Sequence, residues 1–375
     1  MLTAIDVDDI ARAIGGGIGC SQRVEGVGDI VAKKLLQHLG SAEAVFKAKP
    51  QQLAAIDGIG ATLIKNLKDP TVFSKAQAEL DYLLNNQINV SFFQDKKYPE
   101  SLKQCVDGPL LLFSTGEQDW TNKKMISIVG TRQITAYGTE FCKQFISDLA
   151  PLNPVIISGF AYGVDIVAHQ AAMDHGLQTI GVLAHGMQHI YPKNHKKYMV
   201  KMEQNGGFIS EFWSTTPPDK ENFVRRNRIV AGMAQATIVI ESAERGGSLI
   251  TAQIANDYNR DVFAVPGRST DKYSLGCNNL IKTQKAAMIT SAADLIYNLN
   301  WDIQTNPKAI QKQLFVALEP DEQKIYEYLQ KNGKQLLDVI ALDCEMPIFK
   351  ISSILLTMEL KGVIKPLPGK LFEAI

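Results

Sequence analysis

The sequence predicts an α/β protein of three parts: a mostly parallel sheet core, a helical N-terminal domain and a C-terminal winged helix. Three observations carry this. Between residues 79 and 300, short β-rich apolar runs alternate with amphipathic stretches. Ahead of them a five-residue glycine motif recurs after 32 residues, each copy opening a helical pattern. After them, three helical patterns precede a hairpin-like tail. The expected boundaries are 1–78, 79–300, a linker over 301–318, and 319–375.

Bulk composition agrees with a globular, multidomain chain. Of 375 residues, 45% are apolar and 21% charged, which excludes bulk disorder and coiled coil. No apolar run approaches the ~20 residues of a bilayer span, and the start MLTAIDVDDI lacks a basic-then-apolar leader pattern. Cysteines 20, 105, 142, 277 and 344 form no CxxC, as expected of thiols in a reducing cytosol. Bases and acids balance at 39 each, but total charge says little about a binding surface, which depends on where the charges sit.

In the N-terminal part, Val24–Gly28 (VEGVG) precedes DIVAKKLLQHLG, and Ile56–Gly60 (IDGIG) precedes ATLIKNL. A repeated h-x-G-h-G plus helix resembles paired helix-hairpin-helix modules, as in SAM-like domains. Such turns present backbone N–H groups at a helix start, a geometry suited to phosphate. With nine acids against nine bases over residues 1–80, a purely structural or partner-docking role is the favoured reading over DNA contact.

In the core, the expected strands are 126–129, 155–158, 179–184, 208–211, 237–242 and 261–265, with helices near 135–150, 164–175, 193–204, 222–234 and 248–258. Strand–helix alternation implies right-handed crossovers, a parallel sheet and ligand binding at the strands' carboxyl ends. Three Gly-rich turns lie there: Gly130-Thr131-Arg132, the run from Ser158 and Gly159 to Asp165, and the run from Glu241 to Gly246, Gly247 and Ser248. Neither a Walker A sequence nor G-x-G-x-x-G is present, so ATP hydrolysis and dinucleotide redox chemistry are unsupported, and no cofactor is expected. The expectation is a phosphate-binding edge without a nucleotide fingerprint.

Charge is concentrated nearby. Residues 190–228 hold eight bases, among them Lys193, Lys220, Arg225, Arg226 and Arg228, against four acids. Arginine binds phosphate bidentately and an aromatic ring such as Phe223 stacks on an unpaired base. On a helix, Arg225 and Arg228 share a face and Arg226 points elsewhere. Pairing of this basic helix with nearby acids is the alternative. Five of six histidines fall within 169–195, but His185 and His189 have no third ligand in the pattern, so no metal site is expected. Ser158 and Ser248 lack a G-x-S-x-G elbow.

The C-terminal patterns DEQKIYEYLQK, KQLLDVIALDC and PIFKISSILLTMELKG, followed by VIKPLPGKLFEAI, make a winged helix. Its third helix carries only Lys350 and Lys361, and residues 319–375 hold seven bases against nine acids. A protein-facing or structural role therefore fits better than a DNA-facing one.

Taken in order, VGTR, SGFAYGVDIVAHQAA, YPKNH, ISE, FVRRNRIVAG, GGSLITA, VPG and GCNNLI resemble the DNA processing protein A (DprA/Smf) family over about residues 85–295. The resemblance implies a Rossmann-like core and a non-enzymatic cytoplasmic binder of single-stranded DNA in natural transformation. It would protect incoming strands, load the RecA recombinase and dimerise through the Rossmann-like domain. By motif, it also implies Arg132 and Lys220 as phosphate contacts and Phe223 as a base contact. Gly159, Gly246, Gly247 and Ser248 would supply donors, and Lys193 a further cation. Thr131 stands where many members have Ser. The alternative of another class is a Rossmann-like nucleotide N-glycoside hydrolase. Its PGGxGTxxE signature is not matched by RGGSLITA, although Asp165 and Glu241 remain as carboxylates.

Overall fold

The six apolar runs become six of nine strands in one sheet. A computed structural model describes residues 27–69, 71–301, 318–367 and 371–374. Val24–Gly26 of the first glycine motif, Cys20, most of the linker and the Pro368-Gly369 turn of the tail lie outside the described residues. The chain divides into a unit ending at Ile303 and a C-terminal unit from Gln304.

The predicted strands are β3 (Met125–Val129), β4 (Val155–Ser158), β5 (Thr179–Val182), β6 (Gly206–Ser210), β7 (Ala236–Val239) and β8 (Asp261–Ala264). Three further strands complete the sheet: β1 (Asn89–Phe92), β2 (Leu111–Thr115) and the two-residue β9 (Ala287–Met288). The order is β1-β2-β6-β5-β4-β3-β7-β8-β9. From β6 to β9 all pairings are parallel, while β2 lies antiparallel on β6 and β1 antiparallel on β2. Successive crossovers run outward from β3 to β4, β5 and β6, whereas β7, β8 and β9 fill its other side. The reversal beside β3 is the topological switch point, where a crevice opens at the carboxyl ends.

Helices cover both sheet faces, so strand side chains alternate between two apolar clusters. Ile126 and Ile128 of β3 and Ile156 of β4 pack with α7 (Ala136–Leu149) and α8 (Val164–Asp174). Met125, Val129, Val155 and Ile157 pack on the other face with α10 (Lys220–Met233) and α11 (Gly247–Asp257). Of the remaining helices in this unit, α6 (Glu100–Lys103), α9 (Lys196–Glu203), α12 (Leu275–Lys282) and α13 (Ala292–Asn298) complete the layers.

Ahead of the sheet come α1 (Asp29–Leu39), α2 (Ala42–Lys47), α3 (Pro50–Ala54), α4 (Ala61–Leu67) and α5 (Thr71–Asn85), which runs through position 78. IDGIG joins α3 to α4, with Gly58 at φ +85°, the left-handed turn that the motif predicts. Leu35, Leu53, Leu67 and Leu83 share a core with Leu111 and Phe113 of β2 and with Trp213. Two buried acids pin these helices to the sheet: Asp29 Oδ1 accepts from Leu110 N at 2.9 Å, and Glu79 accepts from Ser214 N at 2.8 Å and its hydroxyl at 2.7 Å.

The C-terminal unit is a winged helix. It comprises α14 (Pro320–Asn332), β10 (Gln335–Leu336), α15 (Leu337–Asp343), α16 (Ile348–Leu360), β11 (Ile364–Leu367) and β12 (Leu371–Ala374), with sheet order β10-β12-β11. Ile325, Leu329, Ile340, Ile351, Leu355 and Met358 form its core.

Candidate nucleic-acid interface

A cleft of about 670 Å³ opens at the switch point, walled by the ends of β3, β4 and β7 and the starts of α10 and α11. Arg132, Lys220, Phe223, Arg226, Gly159 and the Gly246–Ser248 turn line it together. These come from four separate stretches of sequence, brought together by the parallel crossovers.

Phe223 is the centre. The Arg132 guanidinium lies 5.2 Å from its ring centroid, that of Arg226 5.9 Å, and the Tyr191 ring meets it edge-on at 5.5 Å. Cations on a ring face fix its orientation. Lys220 begins α10, whose N-cap Asp219 accepts from Glu221 N at 2.9 Å. Arg132 and Lys220 are exposed and enter no ion pair among the described residues.

Below them sits a buried charge. Arg226 is 4% exposed and donates to Gly159 O at 2.6 Å and to Val182 O. Burial lowers its pKa to about 10, which leaves it cationic at neutral pH, and Asp165 opposes that shift. Burial likewise pushes Asp165 above the usual carboxylate range against the pull of Arg226. Both converge on Gly159: a Cβ there would lie 2.6 Å from Arg226 Nη2 and 2.6 Å from Asp165 Oδ2. Gly159 therefore provides space for the buried guanidinium.

The three Gly-rich turns differ in what they leave free. Thr131 N donates to Glu241 O at 2.7 Å, Val164 N to Thr131 O at 3.1 Å, and Ala161 N to Asp165 Oδ2 at 3.2 Å. The first two bonds tie the loops to one another and the third closes the second turn on itself. Gly130 permits that closeness, since a Cβ would sit 2.9 Å from Glu241 O. The third turn opens α11, where Gly246 is the N-cap, Gly247 faces open space and Ser248 Oγ donates to Ser242 Oγ at 2.9 Å. Here the first-turn amides and the helix dipole face the cleft.

Four of the residues expected at the site do not line the cleft. Ser158 is fully buried, its hydroxyl donating to Ile128 O at 2.6 Å, so it does not reach the cleft. Arg225 and Arg228 project from the opposite face of α10. There they bind Glu211 Oε2 at 2.7 and 2.6 Å and Asp29 Oδ2 at 3.5 and 3.0 Å. Lys193 is exposed on the segment after Tyr191 and does not line the cleft. Conversely, Tyr191, Asn227 and Arg245 line it without having been singled out. Tyr191 stands in the YPKNH motif, where charge drew attention to the lysine instead.

His185 and His189 have rings 6.3 Å apart and each lies against a backbone carbonyl, Gly186 O at 3.0 Å and Thr215 O at 3.2 Å. Among the described residues no three His, Cys, Asp or Glu side chains gather as for a metal. The two carboxylates of a hydrolase reading do not meet in one cavity. Glu241 has both oxygens taken by Thr135 N and Oγ1 at 2.9 and 2.6 Å, while Asp165 belongs to the cleft floor.

Residues 89–300 match the family model of DNA recombination-mediator protein A, and 312–370 that of the DprA winged helix domain. Protein Smf of Escherichia coli is 35% identical over 279 residues, 72% of this chain and 74% of that protein. DNA processing protein DprA of Bacillus subtilis is 37% identical over 249 residues, 66% of this chain and 83% of that protein. The DprA structure from Streptococcus pneumoniae aligns with a TM-score of 0.60 and 29% identity, covering 79% of this chain and 98% of that one. A DprA structure from Helicobacter pylori, described for its single-stranded DNA binding mode, aligns at 0.52 and 28%, covering 57% and 96%. This chain is a member of the DprA/Smf family of DNA processing proteins.

Proposed function

We propose that this chain binds single-stranded DNA along the carboxyl edge of its sheet, protects strands entering by natural transformation or another recombination route, and loads a RecA recombinase onto them. The observation that carries the reading is the ring of Phe223 with the guanidiniums of Arg132 and Arg226 5.2 and 5.9 Å from its centroid, in one cleft with the exposed Lys220. A cation pair with an aromatic platform suits a phosphate backbone with unstacked bases. The relative described by its single-stranded DNA binding mode supports it. No catalysis is part of this reading: the cleft supplies positioning groups and charge.

The reading includes a cytoplasmic homodimer through the Rossmann-like domain. No described helix is long and apolar enough to cross a membrane. The winged helix is proposed to face a protein. Lys350 and Lys361 bind Asp321 at 2.6 Å and Glu322 at 2.5 Å, while Phe349 and Leu356 are exposed on α16.

The test is a binding series with single- and double-stranded oligonucleotides at two salt concentrations. Single strands should bind tighter, and Arg132→Ala should weaken all sequences while flattening the slope of log K on log salt by about 0.7. Equal binding of duplex, or an unchanged slope, overturns the assignment of the cleft.

A further inference from the structure

A second pocket, of about 920 Å³, lies beside the cleft on the same edge of the sheet, over the ends of β7 and β8. Tyr137, Tyr273, Arg268 and Lys272 line it. The function proposed above makes no use of it. Only a thin ridge separates the two cavities. Tyr273 hydroxyl donates to Gln133 Oε1, Ser242 N donates to Tyr273 O at 2.7 Å, and Gly276 N donates to Ser242 O at 2.9 Å. Ser242 itself belongs to the first cleft and accepts from Ser248 there. The loop over residues 266–274 is therefore tied to the same turn that presents the α11 amides.

The chemistry of this pocket is that of a nucleotide subsite. Tyr137 is 54% exposed, with its hydroxyl 3.5 Å from Pro266 O and its ring tilted against that of Phe141 at 6.4 Å. Lys272 lies 5.4 Å from the Tyr273 ring centroid. Arg268 and Lys272 are exposed and pair with no carboxylate among the described residues. Two acids also line the pocket. Glu241 is buried and spends both oxygens on Thr135 at the start of α7, which leaves Asp271 as the exposed one. Helices α7 and α12 both begin at this wall, adding positive dipole ends. Two free cations, two aromatic rings and two helix starts against one exposed carboxylate favour an anionic, base-bearing ligand. Arg245, on the turn between the cavities, supplies a cation at the crossing.

We propose that this pocket is a second nucleotide subsite: a DNA strand leaving the first cleft crosses the Gln133–Tyr273 ridge, stacks a base on Tyr137 and Tyr273, and sets its phosphates on Arg268 and Lys272. The inference rests on the single-stranded DNA reading and lengthens its footprint.

Oligothymidylates of graded length, measured by fluorescence anisotropy at several salt concentrations, test it on the full chain. Wild-type affinity should rise with length past the few nucleotides that fill the first cleft. R268A/K272A should match wild type on the shortest oligonucleotide that binds. On longer ones it should fall about tenfold and lose about 1.4 from the salt slope, two single-strand phosphates' worth. Tyr137→Ala, on an exposed ring, should lose about tenfold on long oligonucleotides at unchanged slope. Wild-type behaviour of both variants at every length overturns the subsite. An equal loss at every length also overturns it, because the loop would then only prop up the first cleft. If wild type binds no oligonucleotide at all, the single-stranded DNA reading itself fails, a result distinct from either.

Discussion

Helix α10 carries three arginines within four residues, and its two faces put them to opposite uses. On the cleft face, Arg226 is buried beneath Phe223 and bound to backbone carbonyls, while Lys220 at the helix start stays open to solvent. On the back face, Arg225 and Arg228 are neutralised by Glu211 and Asp29, which anchors α1 to the core. Local surplus charge thus separates into a half that faces the cleft and a half that is ion-paired. A count of bases along the chain measures the sum, and only the geometry divides it.

The largest effect is expected on the back face. Arg228→Ala leaves Glu211 and Asp29 buried with one fewer partner, which should cost about 3–5 kcal/mol in urea unfolding, as for other broken buried pairs. DNA binding by the folded fraction should keep its salt slope. A changed slope would erase the division between faces. On the cleft face, Gly159→Ala forces a Cβ into Arg226 and Asp165, and overpacking of this kind costs about 1–3 kcal/mol. There, stability and DNA affinity should fall together, because the cation under the cleft is displaced.

Acid offers a second way to separate the regions. His169, on α8 below the cleft, is fully buried with Nδ1 2.7 Å from Thr179 Oγ1, and burial lowers its pKa to about 3. Between that value and the ordinary histidine value near 6.5, the unfolded chain holds the proton and the native one does not. The contribution of this histidine to stability is therefore complete above about pH 6.5 and is lost as pH falls, while Glu211, which burial raises to about 7, acts with the opposite sign. Linkage gives a loss of about 2 kcal/mol between pH 7 and pH 5. His169→Gln should flatten this part of the profile, and an unchanged profile would assign the acid sensitivity elsewhere.

Legibility in the sequence followed the range of the interaction that each element depends on. The six parallel strands announced themselves because burial on both faces demands continuous apolar runs. Their helices, down to the opposite projection of Arg226 from Arg225 and Arg228, followed from helical periodicity. The edge strands did not: NVSF over 89–92 is mixed, and β9 has two residues, with pairing supplied by a neighbour. The lining of the cleft was legible at Arg132, Lys220 and Phe223, which stand at strand and helix ends. At Arg225 and Arg228 the weighed alternative of pairing with nearby acids prevails, through Glu211 14 and 17 residues back, and Asp29, 196 and 199 residues away, adds a partner that no local pattern could show. Ser158 was misread for a related reason: the last residue of a buried strand turned its hydroxyl down to Ile128 O rather than out.

The smallest expected effects sharpen the comparison most, because they set residues of similar character against each other. Phe223→Ala should lower affinity for single strands by about 1–3 kcal/mol without touching the salt slope, since stacking releases no counterions. A changed slope would mean that the ring acts by holding Arg132 in place. Arg225→Ala is the counterpart on the back face. Its side chain is 51% exposed although it touches Glu211 at 2.7 Å, and Arg228 remains to pair the acids. Solvent screening should hold its cost to about 1 kcal/mol or less, read as a shift in the urea midpoint. Its salt slope should match wild type, whereas Arg132→Ala should not. Should Arg225→Ala flatten the slope as Arg132→Ala does, the strand must reach around α10, and the two faces would form a single continuous DNA surface.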